Sequence, residues 1–131
     1  MPRLLSDEPC TLVLNDNISN TRITLHFRMP TTAERVKYLS GLFKRKGNEL
    51  QPNVNEIRAE LGAEILLGFE EGAFTTEKGI ISSNPNSPLY EPSWKDIMAK
   101  YAPDVIEMLA IHVFERALTI APPEVAEKSP F

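Results

Sequence analysis

The stretch from Ser93 to Leu118 is the densest apolar run in the chain, and it constrains the fold more than any other feature. Its first half carries apolar residues with the i, i+3, i+4, i+7 spacing of one helix face. Those residues are Trp94, Ile97, Met98 and Tyr101. Ser93 is the expected N-cap of this helix. Pro103 predicts the start of a second helix, because the missing N–H of a proline is tolerated in the first turn.

The second helix is apolar over most of its circumference. Its apolar residues are Val105, Ile106, Leu109, Ala110, Ile111, Val113, Phe114, Ala117 and Leu118. A helix of this kind is usually buried on several sides. We therefore expect a central C-terminal helix with the other elements packed around it.

The N-terminal part of the chain predicts a β-hairpin. A short apolar run from Cys10 to Leu14 is followed by the turn cluster Asn15-Asp16-Asn17. Residues 20–29 then alternate between apolar and polar side chains, which is the period of a half-buried strand. A hairpin alone is marginal in water. Its apolar face must therefore lie on the helices, or on a sheet that another subunit completes in a homo-oligomer.

A first helix is predicted directly after the hairpin. Thr31 and Glu34 have the spacing of a capping box, which marks a helix start. The expected buried stripe of this helix is Val36, Leu39 and Phe43, with Tyr38 and Leu42 beside it. Gly47 and Asn48 are expected to end it. The cluster Lys44-Arg45-Lys46 then falls in the last turn, where cations interact favourably with the helix dipole.

A second helix is predicted from Asn53 onward. Its apolar stripe is Val54, Ile57, Leu61 and Ile65. Gly62 lowers the helix propensity by about 1 kcal/mol relative to Ala. Our hypothesis is that Gly62 permits close packing against the central helix.

Residues 69–92 are rich in Gly, Pro, Ser and Asn, which interrupt helices and strands and favour turns and loops. We expect a mobile segment, with a short strand at residues 79–82. The predicted class is α+β, mainly α: an N-terminal β-hairpin followed by about four helices around the central C-terminal helix. Residues 1–9 are expected to form a flexible arm, residues 10–118 a single globular domain and residues 119–131 a disordered tail.

Composition limits the function classes. The net charge of −4 argues against a nucleic-acid partner, which would require a basic patch. The single cysteine, Cys10, excludes an internal disulfide. The chain has no apolar run of the roughly 20 residues that a membrane-spanning helix needs. We expect a cytoplasmic protein with no membrane partner.

The sequence predicts no catalytic, cofactor-binding or metal-binding residues, and we expect a protein that is not an enzyme. His112 and Glu115 lie at i, i+3, but no nucleophile is placed beside them. Glu56, Glu60 and Glu64 form one acidic stripe on the second helix. Such a stripe can bind cations, but it is far more often a solvated face.

Four aromatic residues are the candidates for partner binding. Phe69, Phe74 and Tyr90 lie in the segment that we expect to be mobile, where exposed aromatic side chains recruit partners. Trp94 is either an interface anchor or a core residue, and its place on an apolar stripe favours the core.

Two segments resemble a known family. Residues 23–39, ITLHFRMPTTAERVKYL, and residues 93–115, SWKDIMAKYAPDVIEMLAIHVFE, resemble tail assembly chaperones of long-tailed bacteriophages and prophages. The resemblance implies a mainly helical cytoplasmic protein, without a cofactor, that binds the tape-measure protein or tail-tube subunits. Two alternatives are a head–tail adaptor or neck component of the particle, and a small domain of another binding role.

Overall fold

The computed structural model describes residues 2–116, in which groups of two or three strands are separated by helices. The strands are β1 (Cys10–Asp16), β2 (Thr21–Phe27), β3 (Phe43–Lys46), β4 (Glu49–Pro52), β5 (Leu66–Phe69), β6 (Phe74–Thr76) and β7 (Gly79–Ile81). The helices are α1 (Thr32–Ser40), α2 (Val54–Ile65), α3 (Trp94–Tyr101) and α4 (Pro103–Ala110), followed by a π-helical turn at Ile111–Arg116. Of the described residues, 37% are helical and 30% are in strands. The prediction of a mainly helical protein is therefore wrong.

The first source of this error is the segment after α1. The helix ends at Ser40, and β3 and β4 then form an antiparallel hairpin. Gly47 adopts φ +66 in the turn, a left-handed conformation that glycine takes without steric cost. Gly47 therefore turns a hairpin and does not end a helix. The cluster Lys44-Arg45-Lys46 lies on β3, and its expected place at a helix C-terminus is wrong.

The predicted N-terminal hairpin is present as β1 and β2, and β5 completes a three-stranded antiparallel sheet in the order β1-β2-β5. Leu12 lies opposite Leu25, and Leu25 lies opposite Phe69. Directly opposed residues share a face, so these three side chains belong to one apolar face of the sheet. The third strand comes from this chain, directly after α2.

The core lies between this apolar face and the helices. It contains Ile23, Leu25, Phe27, Ile65, Leu66, Phe69, Ile81, Trp94, Met98, Val105, Ile106, Leu109 and Val113. Gly62 of α2 lies against α4, where a Cβ atom would be 2.5 Å from the carbonyl oxygen of Ile106. This geometry confirms the hypothesis that Gly62 permits close packing with the central helix.

The predicted break in the C-terminal stretch is confirmed, because α3 ends at Tyr101 and α4 begins at Pro103. Ser93 occupies the N-cap position, but its side chain makes no capping hydrogen bond. Its N–H instead donates to the Glu91 carboxylate at 3.0 Å. The predicted continuous helix changes to π geometry after Ala110.

Residues 69–92 contain the β6–β7 hairpin, which includes the predicted short strand at residue 79. Residues 2–9 have no helix or strand. The mobility of both segments stays a prediction, and the predicted tail at 119–131 lies outside the described residues. Within residues 2–116, every helix is too short or too polar to span a bilayer.

We predict that Gly62→Ala destabilises the protein by about 1–3 kcal/mol, although alanine has the higher helix propensity. The added methyl group meets a backbone oxygen of α4, which side-chain rotation cannot move away. Urea denaturation followed by circular dichroism measures the effect. Asn55→Ala, at an exposed position of α2, is the control and should change stability by less than about 0.5 kcal/mol. A Gly62→Ala variant as stable as the parent would contradict the close contact.

Candidate functional site

Three of the four aromatic residues proposed for partner binding meet in the core. The ring of Phe69 makes edge-to-face contacts with Phe74 at 4.8 Å and with Trp94 at 5.7 Å between centroids. Phe69 and Trp94 are buried and Phe74 is half-buried. Trp94 is therefore a core residue, which is the alternative that its place on an apolar stripe favoured.

Tyr90 is the most exposed of these four residues. Its chain segment is tied to Ser82 by two backbone hydrogen bonds. The N–H of Ser82 donates to Leu89 at 2.9 Å, and the N–H of Glu91 donates to Ser82 at 3.0 Å. Partner binding by these four residues stays a prediction, and the burial of Phe69 and Trp94 leaves Tyr90 the most accessible for it.

Two pairs of large apolar residues are exposed, one on α1 and one on the β3–β4 hairpin. They are Val36, Leu39, Phe43 and Leu50, which are 60%, 67%, 55% and 62% exposed. We call these four residues the α1–β4 apolar surface. Three of them were predicted as the buried stripe of the first helix, and that prediction is wrong. The residue of α1 that is buried is Tyr38.

The two halves of the α1–β4 apolar surface both face away from α2. On the hairpin, Phe43 and Leu50 share one face, because Phe43 lies opposite Pro52 and Leu50 lies opposite Arg45. The other face carries Lys44, whose Nζ lies 3.6 Å from the Glu56 carboxylate on α2. On α1, Val36 and Leu39 lie one turn apart on the side opposite the residues that contact the protein body.

One polar cluster holds α1 to α2 and to the C-terminal π-helical turn. Arg58 donates two hydrogen bonds to the Glu115 carboxylate, at 2.9 and 3.0 Å, and the hydroxyl of Tyr38 donates to the same carboxylate. The Tyr38 ring stacks on Phe114 with 4.5 Å between centroids. The hydrogen bonds from Arg58 lower the pKa of Glu115, and burial raises the pKa of Tyr38. We call Tyr38, Arg58 and Glu115 the tyrosine cluster.

The tyrosine cluster was not predicted from the sequence. The pair considered there was His112 with Glu115, but the described partners of Glu115 are Arg58 and Tyr38. His112 is half-buried, and its ring meets the edge of Phe27 with 6.3 Å between centroids. His112 and Glu115 therefore do not form an acid–base pair in the described structure, although they are three residues apart on one helical turn.

A second polar cluster holds the start of α1 to the end of β2. Glu34 accepts two hydrogen bonds from Arg28, both at 2.8 Å. The same carboxylate accepts from the N–H of Thr31 at 2.9 Å, while the Thr31 hydroxyl accepts from the N–H of Glu34 at 3.1 Å. This confirms the predicted capping box. The hydrogen bonds from Arg28 are the main cause that lowers the pKa of Glu34 to about 2.

The acidic stripe on α2 is exposed, and each of its three carboxylates has a cation from a different element. Glu56 faces Lys44 of β3, Glu60 faces Lys37 of α1, and Glu64 faces Arg28 after β2 at 3.8 Å. The stripe therefore connects α2 to its neighbours. Within residues 2–116, no group of three or more His, Cys, Asp or Glu side chains has the arrangement of a metal site.

The N-terminal arm borders one end of the sheet. Residues 3–9 line a half-open groove of about 1010 Å³, which is also lined by Phe27, Met29 and His112. Leu4 and Leu5 of the arm stay exposed beside it. The groove is therefore an open surface feature and not an enclosed pocket.

The two polar clusters together determine which side of α1 faces solvent. Glu34 and Tyr38 are four residues apart, so they lie on the same face of the helix. Both are held to the protein body by charge-assisted hydrogen bonds. The opposite face, with Val36 and Leu39, is consequently directed outward. The α1–β4 apolar surface is therefore a candidate for contact with another protein.

Comparisons of the chain with protein-family models, with curated proteins and with solved structures found no match.

We predict a coupling energy of about 1 kcal/mol between Arg58 and Glu115 in a double-mutant cycle of Arg58→Ala and Glu115→Ala. The pair is bidentate and partly shielded, which favours a measurable interaction. Chemical denaturation of the parent, the two single variants and the double variant provides the measurement. The exposed pair Lys37 and Glu60 is the matched control, and its cycle should give no coupling above experimental error. Equal coupling in both cycles would contradict a special role for the tyrosine cluster.

We predict that Glu34 makes the stability of the protein depend on pH below 4.5, the ordinary pKa of a glutamate side chain. The folded-state pKa is depressed, so the stabilisation is fully present above pH 4.5 and is lost as the pH falls toward about 2. Glu34→Gln retains a side chain that completes a capping box but removes the charge. It should cost about 1–2 kcal/mol at pH 7 and progressively less below pH 4.5.

Thermal unfolding at pH 7 and at pH 3 measures this difference. Glu77→Gln, at an exposed position beyond β6, is the control and should unfold like the parent protein at both pH values. A constant difference between Glu34→Gln and the parent over this pH range would count against the charged pair as the cause.

Proposed function

We propose that the protein is a non-enzymatic binding protein of bacteriophage or prophage tail morphogenesis. In this proposal it acts as an assembly chaperone in the bacterial cytoplasm and binds the tape-measure protein or tail-tube subunits before they polymerise. Two observations support it. One is the resemblance of residues 23–39 and 93–115 to tail assembly chaperones. The other, which carries the argument for protein binding, is the α1–β4 apolar surface.

The fold keeps this surface exposed to solvent. Four large apolar side chains within residues 36–50 are more than half exposed, although the described chain has a substantial buried core. Exposed large apolar side chains on neighbouring elements of the chain are candidates for protein–protein contacts. Glu34 and Tyr38 anchor the inner face of α1 to Arg28 and Glu115, so the apolar face cannot turn inward without breaking these hydrogen bonds.

The charges beside the surface indicate which client segment it fits. Arg45 lies on the same face of the hairpin as Phe43 and Leu50, and Arg35 is exposed on α1 next to Leu39. Complementary charge raises the rate and specificity of association. We therefore expect the client segment to be an amphipathic helix with an apolar face and acidic residues at its border. An apolar helical client of this kind needs protection from aggregation until it is assembled.

The alternative function is a structural one, as a head–tail adaptor or neck component. A structural component remains in the particle through stable contacts in a closed ring, whereas a chaperone leaves after assembly. Quantitative mass spectrometry of purified particles separates the two. The chaperone proposal expects the protein in the infected or induced cell and not in the particle. Presence at a stoichiometric level in particles would overturn it.

We predict that Leu39→Ser combined with Phe43→Ser weakens client binding by about tenfold or more, which corresponds to about 1.4 kcal/mol. The probe is the client that the proposal names, the tape-measure protein of the same phage or prophage, co-expressed with this chain and recovered by affinity purification. Because both side chains are exposed, the double variant should keep the parent's thermal unfolding midpoint.

The matched control is Ile18→Ser combined with Tyr101→Ser, which removes two exposed apolar side chains elsewhere, 88% and 74% exposed. This control should retain the client at the level of the parent protein. Equal recovery of the client by all three proteins would contradict binding through the α1–β4 apolar surface. Loss of the client with both double variants would indicate a general effect of surface polarity and would contradict it as well.

A further inference from the structure

The outer edge of β1 is open among the described residues. The three-stranded sheet has the order β1-β2-β5, and within residues 2–116 β1 pairs with β2 alone. β1 is seven residues long, which makes it an extended edge. An open edge of this length offers a row of backbone donors and acceptors to another strand.

The hydrogen bonds of β2 identify which residues of β1 face outward. The N–H of Glu70 donates to Thr24, and the N–H of Arg28 donates to Ile65, both at 3.0 Å. The even-numbered residues of β2 therefore direct their backbone groups toward the β5 side. Because backbone direction alternates along a strand, the odd-numbered residues of β2 are bonded to β1.

The register between β1 and β2 then shows which residues of β1 are bonded to β2. Leu25 of β2 lies opposite Leu12, and Ile23 lies opposite Leu14, so the even-numbered residues of β1 are bonded to β2. The N–H and C=O groups of Thr11, Val13 and Asn15 consequently point away from the sheet. These three residues are also exposed, and the Val13 side chain is 55% exposed.

Most of β1 lacks the features that usually protect an edge strand. Residues 10–15 contain no charged residue and no proline, both of which oppose pairing between edges. Pro9 and Asp16 lie just at the two ends of this stretch. The uncharged part of the edge therefore coincides with the three residues that direct backbone groups outward.

The edge is complementary to itself. In an antiparallel pair of two β1 strands centred on Val13, Val13 of one copy lies opposite Val13 of the other, and Thr11 lies opposite Asn15 in both directions. All three of these pairs join residues whose backbone groups point outward and pair with no other strand within residues 2–116, so they can form hydrogen bonds across the interface. On the inner face, the half-buried Leu12 lies opposite Leu14 of the other copy, which extends the apolar layer.

We propose that the protein forms a homodimer in which two β1 strands pair antiparallel about Val13. The two three-stranded sheets then become one continuous six-stranded sheet. Both copies use the same residues of β1 to form the interface, as two-fold symmetry requires. No charged side chain faces its own copy across the axis, because residues 10–15 are neutral.

Val13→Lys tests the proposal, because it places two like charges directly opposite each other at the axis. The side chain faces solvent in a single copy, so the variant should fold normally. Size-exclusion chromatography with light scattering should give a dimer for the full-length parent protein and a dissociation constant at least about tenfold weaker for Val13→Lys. Val13→Thr keeps a β-branched side chain without charge and should remain dimeric.

Chemical cross-linking tests the register. In the full-length protein with Cys10→Ser, Val13→Cys should give cross-linked dimers with a short bismaleimide reagent. Ile18→Cys in the same background is the control, because Ile18 is 88% exposed and lies beyond the strand end. Two Ile18 positions would be roughly 30 Å apart in the dimer at about 3.3 Å per residue, too far to be linked.

Amide hydrogen exchange gives an independent readout. The amides of Thr11, Val13 and Asn15 should exchange slowly in the parent protein and faster in Val13→Lys. A monomeric parent protein, a dimer that Val13→Lys does not weaken, or equal cross-linking at positions 13 and 18 would each overturn the proposal. Slow exchange of these amides in a monomer would show that the chain itself covers the edge, which would overturn it too. None of these measurements involves the client, so the proposed function is tested separately.

Discussion

The inner face of α1 is the constraint on which the exposed surface of this protein depends. Glu34 and Tyr38 lie on this face, and each is held by hydrogen bonds that involve an arginine–carboxylate pair. The Arg28–Glu34 pair is bidentate and fixes direction as well as distance, and the Tyr38 hydroxyl adds a contact to Glu115. A rotation of the helix that buried Val36 and Leu39 would break these hydrogen bonds. The amphipathicity of α1 is thus determined by polar partners and not by burial of its most apolar side.

Features with a local cause could be predicted from the sequence. The capping box of Thr31 and Glu34, the break before Pro103 and the strand around residue 25 each depend on residues a few positions apart. Gly62 is a further case, since a glycine inside an apolar helical pattern suggests a close neighbour. The α4 backbone supplies that neighbour. In all these cases the deciding interaction is either within one element or with the most apolar helix of the chain.

Features decided by distant partners could not be predicted in this way. Apolar periodicity identified Val36 and Leu39 as one stripe, but it does not say whether that stripe or the one containing Tyr38 is buried. The choice depends on Glu115, which is 77 residues from Tyr38 and 57 residues from Arg58. The mainly helical class failed for a related reason. Short segments such as residues 43–46 become strands because a tight turn at Gly47 returns the chain beside them.

The two proposed interfaces use different residues, and this separation has a physical consequence. The proposed dimer would use the edge of β1, whereas the proposed client would contact α1 and the β3–β4 hairpin. A dimer would therefore carry two α1–β4 apolar surfaces on one body. A client with several apolar helical segments could bind both, and the second contact would form at an effective concentration in the millimolar range, provided that the client can span the two surfaces. Weak single contacts would then give stable retention of a long client, while a short fragment with one segment would dissociate readily. This is the behaviour that a chaperone requires if it must hold an unassembled protein and release it as the contacts are replaced one at a time.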